Sequence, residues 1–532
     1  MLKTDARIVA LVLTTLGYSH AFAAASSMTN DAQTFVRYED FGAKGDGKTD
    51  DLAAIAQAHA FANQHRLPVR ANAQATYYIG GKPETVTIQT DTDFGSAHFI
   101  IDDRTVAKIN VNVFSVTSTL PPVYPKGITT LKKGQREISD PQVRNGVVCV
   151  TDAKTKRYIR EGLNQNNGTS QTDVFLVDQK GVVDINTPIL WDFNQISQIV
   201  VYPVDPTPLK ISGGHFTTIA NAAESKYTYY ARGISIRRSN VVVEKIEHRI
   251  TGEGDHGAPY SGFFNIIDCA NVIIRDALLS GHKTYRTIGS AGKPVSMGSY
   301  DFSVSRAMNV SFVNCKQIND IKDRTLWGIM GSNYSKNILF DGCTFSRFDA
   351  HMGVANATIR NSTMGHVGIN AIGHGRFTVE NTTVYGTHFI NLRSDYGSTW
   401  QGEFVIRNCT FIPACGAPVS ASLIAGSNAG QHDFGYACYM PERILIDGLK
   451  IDDSKHPKVY AGPTLFTDFN ARYTQADYAE KYPYAKTREV FLKDVTTASG
   501  LPLAVSKNSV MFKDVVVKRA GKTIAEAKPT RP

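Results

Sequence analysis

Side chains able to move protons or neutralise charge crowd together between residues 309 and 400 of this 532-residue chain. "NDIKDRTLWGIMGSNYSKN" carries Lys322, Asp323, Arg324 and Trp327, and "SRFDAHMG" carries Asp349 and His351. "GHVGINAIGHG" adds His366, Asn370 and His374, and "THFINLRSDYGSTW" adds His388, Asn391, Arg393 and Asp395. In extended chain, Asp349 and His351 share a face, as do Lys322 and Arg324, and as do Asn391, Arg393 and Asp395. These residue types suit β-elimination on a uronic acid. A cation neutralises the carboxylate so that the C5 proton becomes removable, a base takes that proton, and the C4 oxygen leaves. Lys322 or Arg324 would supply the cation. His351 would be the base, since imidazole titrates near neutrality, and Asp349 would orient it or bond the carboxyl group. Asp323, Trp327, His366, Asn370, His374, His388, Asn391, Arg393 and Asp395 would hold neighbouring sugars. Hydrolysis is the rival chemistry. It needs two carboxyl groups about 5 Å or roughly 6.5–9.5 Å apart, for which Asp301, Asp323, Asp349 and Asp395 are available. A third reading is a glycan-binding protein without catalysis.

The elements that must carry these residues repeat. "NVVVEKIEH" from Asn240 is followed by "NVIIRDALL" (Asn271), "NVSFVNCKQ" (Asn309), "NILFDGCTF" (Asn337), "ATIRNSTM" (Ala357), "RFTVENTTV" (Arg376), "EFVIRNCTF" (Glu403), "RILIDGLKI" (Arg443) and "EVFLKDVTT" (Glu489). Each phrase alternates apolar and polar residues as a half-buried strand does. From Asn271 to Arg443 the phrases start 19 to 40 residues apart. A rung of about 20 residues with variable loops predicts a coil of stacked parallel strands. Asparagine at the head of the first four phrases suits a left-handed corner. Cys315, Cys343 and Cys409 recur at one place in the phrase, which predicts a buried cysteine stack. Residues 113–213 lack the phrase and read as an inserted small β domain. Rungs with the groove then occupy 214–506, and a last strand and tail occupy 507–532. The loop "GEGDHGAPYSG", with Glu253, Asp255 and His256, would cap the groove.

Near the start, "GAKGDGKT" (Gly42–Thr49) matches the phosphate-loop pattern G-x-x-x-x-G-K-[ST]. That loop works only between a buried strand and a helix, whereas "FVRYEDF" before it is charged, and Asp50 and Asp51 would face the phosphates. After it, "DDLAAIAQAHAFANQ" predicts a helix with Leu52, Ile55, His59 and Ala62 on one face and Asp as its cap. "YEDFGAKGDGKTDDLAAIAQAHAFANQ" with "LPVRANAQATYYI" resembles the opening of the pectin-lyase-like right-handed parallel β-helix superfamily. The resemblance covers about 45 residues, and the rung phrases extend it. It implies an all-β solenoid with an N-terminal capping helix across residues 26–112, Gly45 and Gly47 shaping a tight turn. The superfamily includes polysaccharide lyases, glycoside hydrolases, epimerases and phage tailspikes.

A narrower resemblance covers about 20 residues: "FDAHMGVANATIRNSTMGHVG" is similar to the F-D-P-H and T-I-R-D-S segment of mannuronan C5-epimerases. It implies that Asp349 contacts the substrate carboxyl group and that His351 exchanges the C5 proton. Ser346 stands where those enzymes carry tyrosine, and Ala350 where they carry proline, so the second proton carrier of an epimerase is missing. A lyase needs only one.

Formal net charge is +9 and the pI is near 9.0, which suits an acidic polysaccharide as partner. No run of Lys and Arg interleaves with aromatic residues as nucleic-acid binding would require. Residues 1–25 have a basic end, an apolar run and "AFA", the marks of a secretory signal. The protein is therefore expected in the periplasm or outside the cell. Nothing later in the sequence is long and apolar enough to span a membrane. The seven cysteines contain no C-x-x-C pair, no cofactor is called for, and Ca²⁺ is the one metal left open.

Overall fold

In the computed structural model, residues 34–428 and 430–521 are described. The expected signal at 1–25 and the end of the tail lie outside them. The repeated phrases form one continuous parallel ladder. Val241–Glu244 pairs in register with Val272–Arg275, then Val310–Val313, Ile338–Asp341 and Ala357–Arg360. The ladder goes on through Phe377–Glu380, Phe404–Arg407, Ile444–Asp447 and Val490–Lys493, and Val516–Ala520 closes it. Alternation sets which side faces inward. Val310 and Phe312, Ile338 and Phe340, Phe377 and Val379, and Ile444 and Ile446 all lie in one buried core. Because rungs stack about 4.8 Å apart, equivalent side chains meet: Phe99 and Phe216 are paired positions and their rings stack at 4.7 Å.

The corners explain the phrase heads. Asn240, Asn271, Asn309 and Asn337 have φ of 59°, 59°, 54° and 57°, the left-handed region asparagine tolerates. Their amides form a ladder of their own: Asn271 donates to Asn240 at 2.9 Å, Asn309 to Asn271 at 2.9 Å and Asn337 to Asn309 at 2.8 Å. Asn356 continues it with a bond to Asn337 at 3.2 Å. Cys315, Cys343 and Cys409 are buried at 0%, 1% and 2% exposure, but the expected stack holds only for Cys315 and Cys343, since Ser362 and Thr382 occupy the two rungs before Cys409; all seven cysteines are free.

The helix Leu52–His65 closes the N-terminal end of the coil with Leu52, Ile55, Ala58, His59 and Ala62 buried. Gly45 and Gly47 have φ of 59° and 72°, and a Cβ on Gly45 would lie 2.7 Å from that of Ala75. The Asp51 side chain makes no helix cap. It turns back to accept the Lys44 and Gly45 amides at 2.6 and 3.0 Å. Asp46 takes the Lys48 and Thr49 amides at 2.9 and 2.8 Å. The amides a phosphate loop would offer to a nucleotide are thus used by the loop's own carboxylates.

The segment without the phrase contains a separate three-stranded antiparallel sheet of Gly146–Arg157, Thr169–Val177 and Gln198–Pro203. It has its own core around Val148, Phe175 and Phe193. Phe114–Val116 pairs with coil strands on both sides, and Leu209–Ile219 is a rung strand, so the insertion lies within 117–208 and the expected limits of 113–213 take in coil strand at each end. It is fastened to the coil by a buried ion pair, Lys336 Nζ to Asp173 Oδ1 at 2.8 Å, with both side chains no more than 3% exposed. Val147 and Val174 pack on Ala270 and Met308.

Candidate active site

On the strand Thr344–Arg360, Phe348 and Ala350 point into the core, so Arg347, Asp349 and His351 point outward. Successive rungs set Asn370 beside Asp349 and Asn391 beside Asn370, and Asn391 donates to Asn370 Oδ1 at 2.8 Å. Arg393 follows two residues after Asn391 on the same rung, just past the strand's end. The site is thus a stack of equivalent positions on consecutive rungs.

Asp349 is fully buried beneath two guanidinium groups. Arg347 Nη2 donates to its Oδ2 at 2.6 Å, and Arg393 Nη1 donates to both oxygens at 3.0 and 3.2 Å. Arg393 also donates to Asp395 Oδ2 at 3.0 Å, and Arg160, from the insertion, reaches the same oxygen at 2.5 Å. Burial works to raise Asp395, but Arg393 and Arg160 overcome it and hold the carboxyl below its usual range. With Arg324 and Glu161, which also line the groove, four guanidiniums face three carboxylates and one positive charge is left uncompensated. The guanidinium of Arg347 also lies 4.5 Å from the Trp327 ring centroid.

These residues floor a groove made of two adjoining hollows. One, about 500 Å³, is lined by Arg324, Arg347, His366, Asn370, Asn391 and Arg393. The other, about 690 Å³, is walled by Arg160 to Asn164 of the insertion and by Pro294 to Ser296. Ser296, Trp327, Ser394 and Asp395 belong to both. Together the two hollows have room for more than one sugar ring.

His366 is half-buried in the floor. Its Nδ1 lies 3.2 Å from the Ile321 carbonyl oxygen. A carbonyl only accepts, so Nδ1 carries the proton and Nε2 keeps its lone pair. Burial, reinforced by Arg324 and Arg347, pushes the ring's pKa below its ordinary value, so it is neutral at pH 7. His351 is placed differently. Its Nδ1 is 3.1 Å from Asn333 Oδ1 and its Nε2 is 3.3 Å from the Tyr396 hydroxyl. Burial, then Arg393, pushes it down to about 3. It shares the Asp349 face but is not among the residues lining either hollow.

Of the residues singled out in the sequence, Arg324, Trp327, Asp349, His366, Asn370, Asn391, Arg393 and Asp395 come together. Four others stand apart. Lys322 does not share a face with Arg324: the segment between them is a turn rather than a strand, and Lys322 Nζ sits 5.3 Å from the Tyr385 ring centroid. Asp323 closes that turn, accepting from the Thr325 amide and hydroxyl at 2.9 and 2.7 Å. His388 bonds Ser422 Oγ at 2.6 Å. His374 lies round the corner of the coil, edge-on to Trp191 at 5.2 Å. Arg393 and Asp395 do meet, but through a short 3-10 turn, Ser394–Tyr396, rather than along a strand.

Asp301 is removed from the set of hydrolytic carboxyls. It is fully buried and bonded to His248 Nδ1 at 2.6 Å and His282 Nε2 at 3.2 Å. Glu253, expected over the groove, instead accepts from the Lys283 amide at 3.1 Å and pairs with His282 at 3.3 Å.

Several participants were missed. Arg347 could have been found, being two residues before Asp349 on the same strand face. Arg160 and Glu161 carry no such signal, because the insertion brings them from far away in the chain. Tyr300 fills the space above Gly331, where a Cβ would meet its ring at 3.3 Å. Among the described residues there is no group of three or more His, Cys, Asp or Glu placed to hold a metal, and no helix long and apolar enough to cross a membrane.

The fold is a right-handed parallel β-helix with an N-terminal capping helix. No protein-family model matches the chain. The structure is similar to the tailspike of Pseudomonas phage phi297, with 12% sequence identity, 91% of this chain and 84% of that one covered, and a TM-score of 0.52. It is equally similar to the Gp54 tailspike of Acinetobacter baumannii bacteriophage AP22, solved in complex with A. baumannii capsular saccharide, at 11% identity, 91% and 79% coverage and a TM-score of 0.52. The sequence is 22% identical over 444 residues to a capsule KL64-specific depolymerase of Klebsiella phage P510, covering 74% of this chain and 38% of that protein. The chain spans about two fifths of that relative's length. At these identities the likeness is one of fold.

Proposed function

We propose that the groove binds an extracellular acidic polysaccharide, of the capsular kind that the similar depolymerase is named for, and cleaves it by β-elimination. A uronate carboxylate docks on the Arg347, Arg393 and Arg324 face, where the uncompensated charge lowers the pKa of the C5 proton. His366 Nε2 takes that proton. The C5–H electron pair becomes the C4=C5 double bond, the C4–O bond breaks, and the departing oxygen is protonated by solvent. The observation that carries this reading is the neutral His366, its lone pair turned free by the Ile321 carbonyl, among arginines on the groove floor. It moves the base from His351, whose Nε2 is engaged by Tyr396.

Hydrolysis would have to use Glu161 and Asp395, which line the same hollow. A general acid needs a carboxyl held protonated, and Asp395 is held in the opposite sense. The test is incubation of purified protein with a panel of uronic-acid and neutral glycans, reading ultraviolet absorbance and reducing ends together. New reducing ends with matching absorbance on uronic polymers alone are expected. Reducing ends without absorbance would establish hydrolysis, and binding without either would establish a glycan-binding protein.

A further inference from the structure

A second hollow of about 150 Å³ lies round the corner of the coil, where Trp191 of the insertion meets His374, Gln401 and Tyr436. We propose that it binds a single pyranose ring bearing a carboxylate, separately from the groove. Its size is that of a cavity able to enclose one six-membered ring such as benzene, so it takes one sugar and no more.

Its walls have the make-up a sugar site needs, flat apolar faces with a few polar groups. The Trp191 and Tyr436 rings are inclined by 29° with centroids 6.4 Å apart. The Tyr436 hydroxyl donates away from the hollow, to the Tyr396 carbonyl at 2.8 Å, which leaves the ring as the lining. Trp191 is fixed before any ligand arrives. Arg157 lies 4.5 Å from its ring centroid, and Arg157 is itself held by Gln171 Oε1 at 2.9 Å and by the Gly435 carbonyl. Preorganisation of this kind lowers the entropy lost on binding.

The polar groups set the charge. Lys133 and Arg157 line the hollow and no Asp or Glu does, so an anion is favoured and a cation excluded. Lys133 is anchored through its backbone amide on Asp192 Oδ1 at 2.9 Å, and its ammonium extends from there as a point charge for a carboxylate. Burial pushes His374 down to about 4, so at neutral pH it meets sugar hydroxyls uncharged. His374 and Gln401 are paired positions on consecutive rungs and bond each other, which fixes both side chains at the wall with their remaining polar atoms left for sugar hydroxyls. Tyr158, Tyr334, Tyr396 and Met352, packed as one cluster, belong to the wall between this hollow and the groove.

The test uses the whole protein labelled with 5-fluorotryptophan, whose three tryptophans give separate fluorine signals assigned by Trp191→Phe and Trp327→Phe. Titration with glucuronate should shift the Trp191 signal saturably, glucose should bind at least tenfold more weakly, and inorganic phosphate should leave the signal in place. Lys133→Glu, at an exposed position, should weaken glucuronate binding at least tenfold. Arg393→Ala in the groove should leave it unchanged. The proposal is overturned by no saturable shift, by equal binding of glucose or phosphate, by indifference to Lys133→Glu, or by loss in Arg393→Ala. Monosaccharide binding does not depend on whether the groove cleaves a polymer.

Discussion

Asp349 and His366 should fail in different ways when replaced. Asp349 keeps two buried guanidiniums apart and oriented, so Asp349→Ala leaves uncompensated charge under the groove. Breaking such a buried pair typically costs about 3–5 kcal/mol, and a lower urea midpoint with lost activity is expected. His366→Gln keeps a polar side chain of similar reach but removes the base. It should lower kcat by about 10²–10⁴, with the urea midpoint and polymer binding close to those of the parent. Equal activity in His366→Gln would return the base to His351. Gly353 is a third test: it has φ of 78°, and a Cβ there would come within 2.1 Å of the Tyr158 hydroxyl. Gly353→Ala should therefore displace Tyr158 and expose the segment carrying Arg160 to proteolysis. The residues that could be read beforehand, Asp349 and Asn391, sit on strands whose alternation announces which way they point. Lys322 was misjudged because that alternation was extended into a turn, and Arg160 was missed because nothing local ties residue 160 to residue 395.

The rung strands were readable because each repeats its own burial rule, and their aligned phrases pair in the structure in the order they were aligned. The insertion was recognised only by lacking that rule. Its docking depends on Lys336, which lies on a rung strand and looks in the sequence like an ordinary polar position. Lys336→Ala strands Asp173 in the interface and should loosen the insertion by about 3–5 kcal/mol, seen as faster proteolysis within 117–208. Lys336→Met with Asp173→Leu should recover most of that loss. The capping helix carries a pH dependence. Burial pushes His59 down to about 3, against about 6.5 in the unfolded chain. Between those values only the unfolded state binds the proton, so stability falls as pH falls below about 6.5, by up to about 1.4 kcal/mol per unit. Urea midpoints measured from pH 7 to pH 5 should decline, and less steeply in His59→Leu.

Across the molecule, net charge of +9 would draw a polyanion along the coil, while the proposed chemistry centres on Arg347 and Arg393, whose side chains are only 4% and 13% exposed. Salt acts on the first more than on the second, since the Debye length falls from about 10 Å at 0.1 M to about 3 Å at 1 M. Raising salt should therefore raise KM for the polymer and leave kcat nearly constant. The way the insertion joins the coil has a further consequence. Phe114–Val116 stacks directly on Ile234–Ile236, and Thr92–Asp102 directly on Leu209–Ile219, so no hydrogen-bonded rung passes through the insertion. Its two ends are clipped together by Ser118 Oγ on Asp205 Oδ1 at 2.9 Å. The coil can thus be spliced shut at that clip, or opened there to receive a foreign module of another size, without a strand changing register. On such a coil the wall over the groove is a separable cassette, replaceable without rebuilding the rungs beneath it.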